Sequence, residues 1–297
     1  MFKRVFLFLL TNVLIMVTIT TVINLLGIKP YITQQGINIP SLLAFCAIWG
    51  FAGAFISLFL SKFMAKSMMG VKLINDEIRD PRLLKVKSQV ERLSDAAGLP
   101  KRPEVGYYES EDINAFATGP SRSNSLVAVS TGLLNKMSED EVEGVLAHEV
   151  AHIANGDMVT MTLVQGVVNA FGMFLARIVA FAASQFVDEE KAPIVQMVST
   201  IVLDILFSIL GLFVVSYYSR QREYRADSGS AQLVGRNKMI AALKRLQQEF
   251  SRPNEGEPER SPVATLQISN KGSSLFKLLS THPSLESRIE RLQSSLS

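Results

Sequence analysis

The chain has 297 residues, 48% of them hydrophobic, with a net charge of +3 and a mean hydropathy of +0.24. That charge is too small to argue for a nucleic-acid partner, and the hydropathy is too high for an ordinary soluble enzyme, so membrane segments are expected. The single cysteine, Cys46, excludes an internal disulfide and a cysteine-based metal site.

Residues 5–28 carry no charge, and neither do residues 30–61. Either run is long enough to cross a hydrocarbon core of about 30 Å as a helix. A signal peptide is the competing reading of the first run. Its apolar core would be shorter, about 7–15 residues, and a second apolar run follows closely. Two further segments are interrupted once each: 158–187 by Arg177 and 192–219 by Asp204. The acidic stretch DEEKAP separates them. Folded as a hairpin about that turn, the two arms bring Arg177 and Asp204 to similar depth. An ionised group in a membrane needs a partner or a wet cavity, so the two are expected to pair. The bland alternative is that these segments lie in a protein groove or at the interface.

Lysine and arginine placement sets the orientation. Lys3 and Arg4 precede the first segment. Lys62, Lys66, Lys72, Arg79 and Arg82 follow the second, and Arg220, Arg222 and Arg225 follow the fourth. Only Lys29 lies between the first two segments, and the turn between the last two is net acidic. Both termini, the 63–157 block and the 220–297 block should therefore be cytoplasmic. The implied layout is a membrane domain over 1–62 with two transmembrane helices, a cytoplasmic part over 63–157, two membrane segments over 158–219, and a second cytoplasmic part over 220–297.

In the first cytoplasmic part, Asp80, Pro81 and Gly98 bracket a helix. Leu83, Val86, Val90, Leu93 and Ala97 form its apolar stripe. GLPKRPEV is a turn, and VGYYES, INAFAT and SLVAVS read as short strands of an antiparallel or mixed sheet. Ser138 and Glu141 form a capping box that starts a helix over 139–155, with Val142, Leu146 and Ile153 facing a core. The fourth apolar segment should continue helically through SRQREYRADSGSAQLV. NKMIAALKRLQQEF is an amphipathic helix, residues 251–274 read as a long exposed loop open to self-cleavage, and 282–296 as a short closing helix.

The 139–155 helix contains AHEVAH. His148 and His152 sit at i and i+4, on one face of a helix, where both can bind one metal ion. Glu149 lies beside them, able to take a proton from water. This HExxH arrangement is that of zinc metallopeptidases. Two histidines alone make neither a structural nor a catalytic zinc site, so a third ligand is required. Glu223, in REYRAD, is a candidate, with Asp227 one turn on to hold a histidine from behind. Glu223 could equally be a solvated residue in a charged run. His282, Glu143 and Asp157 compete, although Asp157 follows His152 by five residues and should point off the metal face.

The N-terminal hydrophobic pair, NAFATG at 114–119, LAHEVAHIANGD at 146–157, the second hydrophobic pair, EYRAD at 223–227 and HPSLESRIERL at 282–292 occur here in one order. In this the sequence resembles, over essentially its whole length, the bacterial HtpX proteases, membrane-bound zinc metalloproteases distantly related to the CAAX prenyl endopeptidases. The resemblance implies an integral-membrane helical part joined to an α+β zincin-like protease domain. It implies one Zn2+ per chain held by His148, His152 and Glu223, with Glu149 as general base and Asp227 behind a ligand. It implies that Asn114, Ala115 and Phe116 form a substrate-aligning edge strand, and that His282 stabilises the oxyanion unless it only starts a helix. The expected activity is cleavage of misfolded or damaged membrane proteins in the bacterial inner membrane, often under stress. The partners are then unfolded or membrane protein substrates and the lipid bilayer, not nucleic acid. A different class of reading is a membrane scaffold or chaperone-like protein with a structural zinc. Such a scaffold would not require Glu at 149. A prenyl-CAAX processor shares the chemistry but would need a large multi-helix chamber.

Overall fold

The structure, a computed structural model, describes residues 13, 16–27, 31–33, 36–75, 77–251 and 280–294. The expected 251–274 loop, apart from residue 251, and residues 5–12, 14, 15 and 28 of the first apolar segment lie outside these. In chain order the elements are α1 (Met16–Leu25), β1 (Ile32–Thr33), β2 (Gly36–Ile37), α2 (Ile39–Met68), β3 (Lys72–Leu73), α3 (Pro81–Ala96), β4 (Glu104–Tyr108), β5 (Ala115–Ser121) and β6 (Asn124–Ser130). They continue with α4 (Thr131–Lys136), α5 (Glu139–Asn155), α6 (Asp157–Ser184), α7 (Ala192–Val234), α8 (Arg236–Ser251) and α9 (Leu285–Ser294). The chain divides into two units: residues 1–57 with 161–215, and residues 58–160 with 216–297.

The first unit is helical apart from the β1–β2 hairpin. Among the described residues, α2, α6 and α7 are long and apolar enough to cross a membrane. Their outward faces carry large apolar side chains such as Phe171, Ile194 and Ile201, each more than half exposed. A protein in water does not sustain so much exposed apolar surface, whereas lipid accepts it. Small residues set the helix contacts. A Cβ on Gly50 would stand 2.5 Å from the backbone nitrogen of Ala170, and one on Gly166 would strike the Phe51 ring. Such close approach is how helices associate where the hydrophobic effect between them is absent.

The expected pair forms. Arg177 Nη1 donates to Asp204 Oδ1 at 3.2 Å and to the Met173 carbonyl at 3.0 Å, and the guanidinium stands 5.6 Å from the Phe45 ring centre. Replacing either charge alone leaves the other without its partner in a low-dielectric setting. Each single neutralisation should cost about 3–5 kcal/mol. The charge swap Arg177→Asp with Asp204→Arg should recover at least half of that in thermal unfolding in detergent. Equal losses in both singles with no recovery in the swap would remove the pair as a source of stability.

The second unit is built on a four-stranded sheet in the order β3-β4-β6-β5. The β4–β6 pairing is parallel (Val105↔Val127), while β3–β4 and β5–β6 are antiparallel. Leu126, Val127, Ala128 and Val129 of β6 are all fully buried, which is why SLVAVS reads as a continuous apolar run rather than an alternating one. The strand β5 forms one edge of the sheet. β3 and the short helix α4 are additions to the sequence reading. The first is two residues long, and the second begins where Ser130 Oγ accepts from the Leu133 amide.

On the sheet packs α3, whose Leu83, Val86, Val90 and Leu93 are buried. Each such side chain contributes about 1.5–3 kcal/mol, so the stripe outweighs the polar remainder of the helix. Asp80 caps it through the Arg82 amide at 2.8 Å. Next to α3 lies α5, which also packs on β5 and α8. Its N-terminus has the reciprocal capping box: Glu141 Oε2 accepts from the Ser138 amide at 2.7 Å, and Ser138 Oγ from the Glu141 amide. Its C-terminus ends at Gly156 in the left-handed region, φ 69°, where a Cβ would be strained. Glu143 of α5 pairs with Arg92 and Lys238. Finally, α9 places Ile289 and Leu292 against Met239 and Leu243 of α8.

The α5–α8 contact depends on a missing side chain. A Cβ on Gly144 would meet the Lys238 carbonyl oxygen at 2.7 Å, and backbone cannot move aside as a flexible side chain can. Gly144→Ala should lower stability by about 1–3 kcal/mol through overpacking, read as a fall in the unfolding midpoint. An unchanged midpoint would show that the two helices are free to separate.

Candidate metal centre

Every residue of the site is delivered by a helix or a turn just described. α5 carries His148 and His152 one turn apart, and α7 carries Glu223. Nε2 of His148 and Nε2 of His152 are 3.1 Å apart. Glu223 Oε2 lies 3.5 Å from the first, and Oε1 lies 3.4 Å from the second. All three groups offer a ligand atom within 4.8 Å of one another. A zinc ion with bonds of about 2.0–2.1 Å in tetrahedral geometry separates its donors by roughly 3.3 Å. The observed spacings therefore suit a small cation. Two imidazole nitrogens and one oxygen favour zinc over magnesium or calcium, which take all-oxygen shells.

Each histidine is held from behind by a carboxylate. His152 Nδ1 is 2.6 Å from Asp157 Oδ2, and His148 Nδ1 is 3.0 Å from Asp227 Oδ1, although the second contact falls short of hydrogen-bond alignment. A proton on Nδ1 shared with a carboxylate leaves the lone pair on Nε2 directed at the centre, the tautomer a metal ligand needs. Asp227 thus lies where the sequence put it, behind a histidine. Asp157 does not simply point off the metal face. The left-handed turn at Gly156 reverses the chain, so the first residue of α6 folds back onto the ring of the helix that precedes it. The Gly-Asp step after the last helical turn carries that signal, since glycine after a helix marks such a reversal. Glu143, the other competitor, is engaged by Arg92 and Lys238.

The electrostatics follow from burial and from this convergence. Glu223 is 2% exposed. Burial pushes its carboxyl up, but hydrogen bonding to His148, His152 and His282 outweighs that and holds it far below the usual carboxylate range. Burial pushes His152 down, yet Asp157 and Glu223 overcome it and raise the imidazole to about 9. A cation entering the site displaces that proton. Asp227, raised by burial, is lowered more strongly by Arg288 and His148.

Glu149 is half-buried and makes no hydrogen bond or ion pair with another described residue. Its charge is felt at His152 and Arg288. With the larger effect of burial, it also helps push the Tyr108 phenol up to about 12. Tyr108 ends β4, and its ring lies tilted against that of Phe116 of β5, with centres 5.8 Å apart. Asn114 enters β5 with its backbone tied to Ser130: its amide donates to Oγ at 3.1 Å, and its carbonyl accepts from the Ser130 amide at 2.9 Å. Ala115 and Phe116 pair with Val129 and Ala128 of β6. His282 brings Nδ1 within 3.2 Å of Glu223 Oε2 while its side chain stays 44% exposed. One buried charge was missed by the sequence reading. Arg288 of α9 binds Asp227 through two nitrogens at 2.8 and 2.6 Å and lies 3.8 Å from Glu223. Its signal was present, since it falls on the same helical face as Leu285, Ile289 and Leu292.

Comparison with known proteins agrees with this picture. A profile of Peptidase family M48 matches residues 82–296. A protein named Protease HtpX homolog from Bacillus licheniformis is 54% identical over 98% of this chain and 99% of its own length. A protein of the same name from Bacillus subtilis is 51% identical over 99% of each chain. Protease HtpX from Shewanella oneidensis is 49% identical over 98% of this chain and 99% of its own. In three dimensions the chain is similar to the crystal structure of S. mikatae Ste24p, with a TM-score of 0.66 and 20% identity, covering 98% of this chain. It spans 64% of that longer chain, and the likeness is one of fold. With the profile covering both metal-site helices and the HtpX proteins matching nearly end to end, the chain belongs to peptidase family M48, among the HtpX proteases.

Proposed function

We propose that the protein is a zinc-dependent endopeptidase of the bacterial inner membrane that cleaves unfolded or damaged membrane proteins. The observation that carries this reading is the convergence of three ligand atoms, from His148, His152 and Glu223, with the neighbouring Glu149 carboxylate making no hydrogen bond or ion pair among the described residues. A structural zinc would be enclosed by four protein ligands. Here three suffice and an unengaged acid stands by, which suits catalysis better than the scaffold reading. The name protease carried by the relatives supports the same class of chemistry.

In this reading His148, His152 and Glu223 hold one Zn2+ per chain, with Asp227 and Asp157 orienting the rings. What the metal supplies when bound is Lewis acidity, which makes water a nucleophile near neutral pH and polarises a peptide carbonyl. Glu149 accepts the proton that water gives up as its oxygen adds to the carbonyl carbon. It then passes that proton to the departing amide nitrogen as the C–N bond breaks. The edge strand β5, through Asn114, Ala115 and Phe116, aligns an extended substrate by backbone pairing. His282, partly exposed beside Glu223, donates to the developing oxyanion.

The cytoplasmic orientation rests on charge. Lys62, Lys66 and Lys72 flank the end of α2, and Arg220, Arg222 and Arg225 follow the apolar part of α7, whereas Asp188, Glu189 and Glu190 lie between α6 and α7. The domain layout that goes with it has membrane segments over 1–62 and 158–219. The cytoplasmic protease parts then lie over 63–157 and 220–297, with both termini on the same side.

Protein purified in detergent and stripped by a chelator should lose cleavage of an unfolded model protein and regain it with zinc. Glu149→Gln should bind zinc with wild-type stoichiometry yet cleave about 10²–10⁴-fold more slowly. Cleavage that survives the chelator, or a variant as active as wild type, would overturn the mechanism. Zinc binding without cleavage by either protein would favour the scaffold. Asp157→Asn should weaken zinc binding about 10–100-fold, measured by competition with a chromogenic chelator, and an unchanged affinity would leave Asp157 without an orienting role.

A further inference from the structure

The mechanism uses no residue of α9, yet that helix sends a buried cation into the centre. Arg288 is 7% exposed. Its Nε and Nη2 donate to Asp227 Oδ2 and Oδ1 at 2.8 and 2.6 Å, and Asp227 Oδ1 is the oxygen 3.0 Å from His148 Nδ1. The helix that bears it is fastened independently. Ile289 and Leu292 are buried against α8, Ser287 Oγ and Tyr224 Oη of α7 are 2.7 Å apart, and the Arg291 guanidinium lies 4.5 Å from the Tyr224 ring centre. A guanidinium buried this deeply is retained at a desolvation cost, so its two-point grip on one carboxylate calls for a reason.

We propose that Arg288 is a positioning residue of the metal centre. It fixes the Asp227 carboxylate by its planar two-point grip, Asp227 fixes the His148 ring, and the docking of α9 and the binding of the metal are therefore linked. The proposal rests on the metal reading above. A lysine cannot reproduce the fork, because its ammonium is a single point of charge. The geometry also contains a rival role: Arg288 Nη2 lies 3.4 Å from His148 Nε2, the nitrogen offered to the metal. If that longer contact dominated, the guanidinium would compete with the cation rather than prepare its site.

The test is zinc affinity of the full-length protein in detergent, measured by chelator competition, for wild type, Arg288→Lys, Arg288→Met, Asp227→Asn and the Arg288→Met/Asp227→Asn double variant. The expected result is a 10–100-fold weakening in Arg288→Met and Asp227→Asn, of the order seen when partners of metal ligands are removed, with Arg288→Lys in between. The double variant should bind zinc within about threefold of Asp227→Asn, because an effect exerted through Asp227 disappears with it. That comparison holds even if Arg288→Met alone fails to fold, since the double variant strands no buried charge. Zinc should also slow amide exchange across 285–294 in wild type, a readout that a merely structural arginine would not move. Losses that multiply in the double variant, zinc affinity unchanged or tightened in Arg288→Met, or exchange in α9 indifferent to zinc would each overturn the proposal. Failure of wild type to bind zinc would instead overturn the metal reading on which it rests.

Discussion

Three carboxylates buried around two imidazoles are the constraint on which the second unit depends. Glu223, Asp227 and Asp157 are each no more than 2% exposed. Left unpaired, such groups would be neutral or the fold would open. The histidines, Arg288 and Arg225 lie against them, and these partners hold Glu223 and Asp227 below the usual carboxylate range. The arrangement is therefore one network. Each ring nitrogen that faces the centre is aimed by a carboxylate behind it, and one of those carboxylates is held in turn by an arginine. A change at any member alters the charge seen by the rest, which is why such networks respond non-additively.

The scaffold brings these groups together with ordinary devices. A capped helix fixes the two histidines one turn apart. A left-handed glycine returns Asp157 to the second of them. The helical periodicity of α7 puts Glu223 and Asp227 on one face, and Ser230, further along the same helix, donates to the Gly144 carbonyl at 2.9 Å and fastens α7 to α5. The close approach of α5 and α8 at Gly144 leaves α9 a surface to dock on, through Met239 and Leu243. Local rules act at each step, and they agree with one another.

The parts legible in the sequence were those governed by local chemistry. The α5 helix and its cap, the α3 stripe, and the continuation of α7 past its apolar stretch follow from spacing and capping alone. The Arg177–Asp204 contact was legible because a charge in an apolar run demands a partner and the acidic turn set the register. Long-range pairing was not. Nothing in VGYYES and SLVAVS says that they run parallel, since that depends on β5 returning between them in sequence but outside them in space. Asp157 was misjudged because helical periodicity was carried past a glycine that ends the helix. Arg288 was not singled out within the closing helix, although the apolar residues one, three and four positions away mark its face as the buried one.

The order of the centre along the chain has a consequence for its assembly. A ribosome delivers His148 and His152 first, then α6 and most of α7, then Glu223 and Asp227, and Arg288 only after α8. Chains emerge at about 5–20 residues per second and fold as units become complete. While α6 and most of α7 are being made, the nascent protein holds the two histidines without Glu223, and Asp227, once made, waits for its arginine until α9 follows. The hydrolytic apparatus is thus dispersed during the interval in which its own apolar segments are unfolded and nearest to being substrates. Synthesis order separates, in time, the making of a cutting site from the exposure of the chain that carries it.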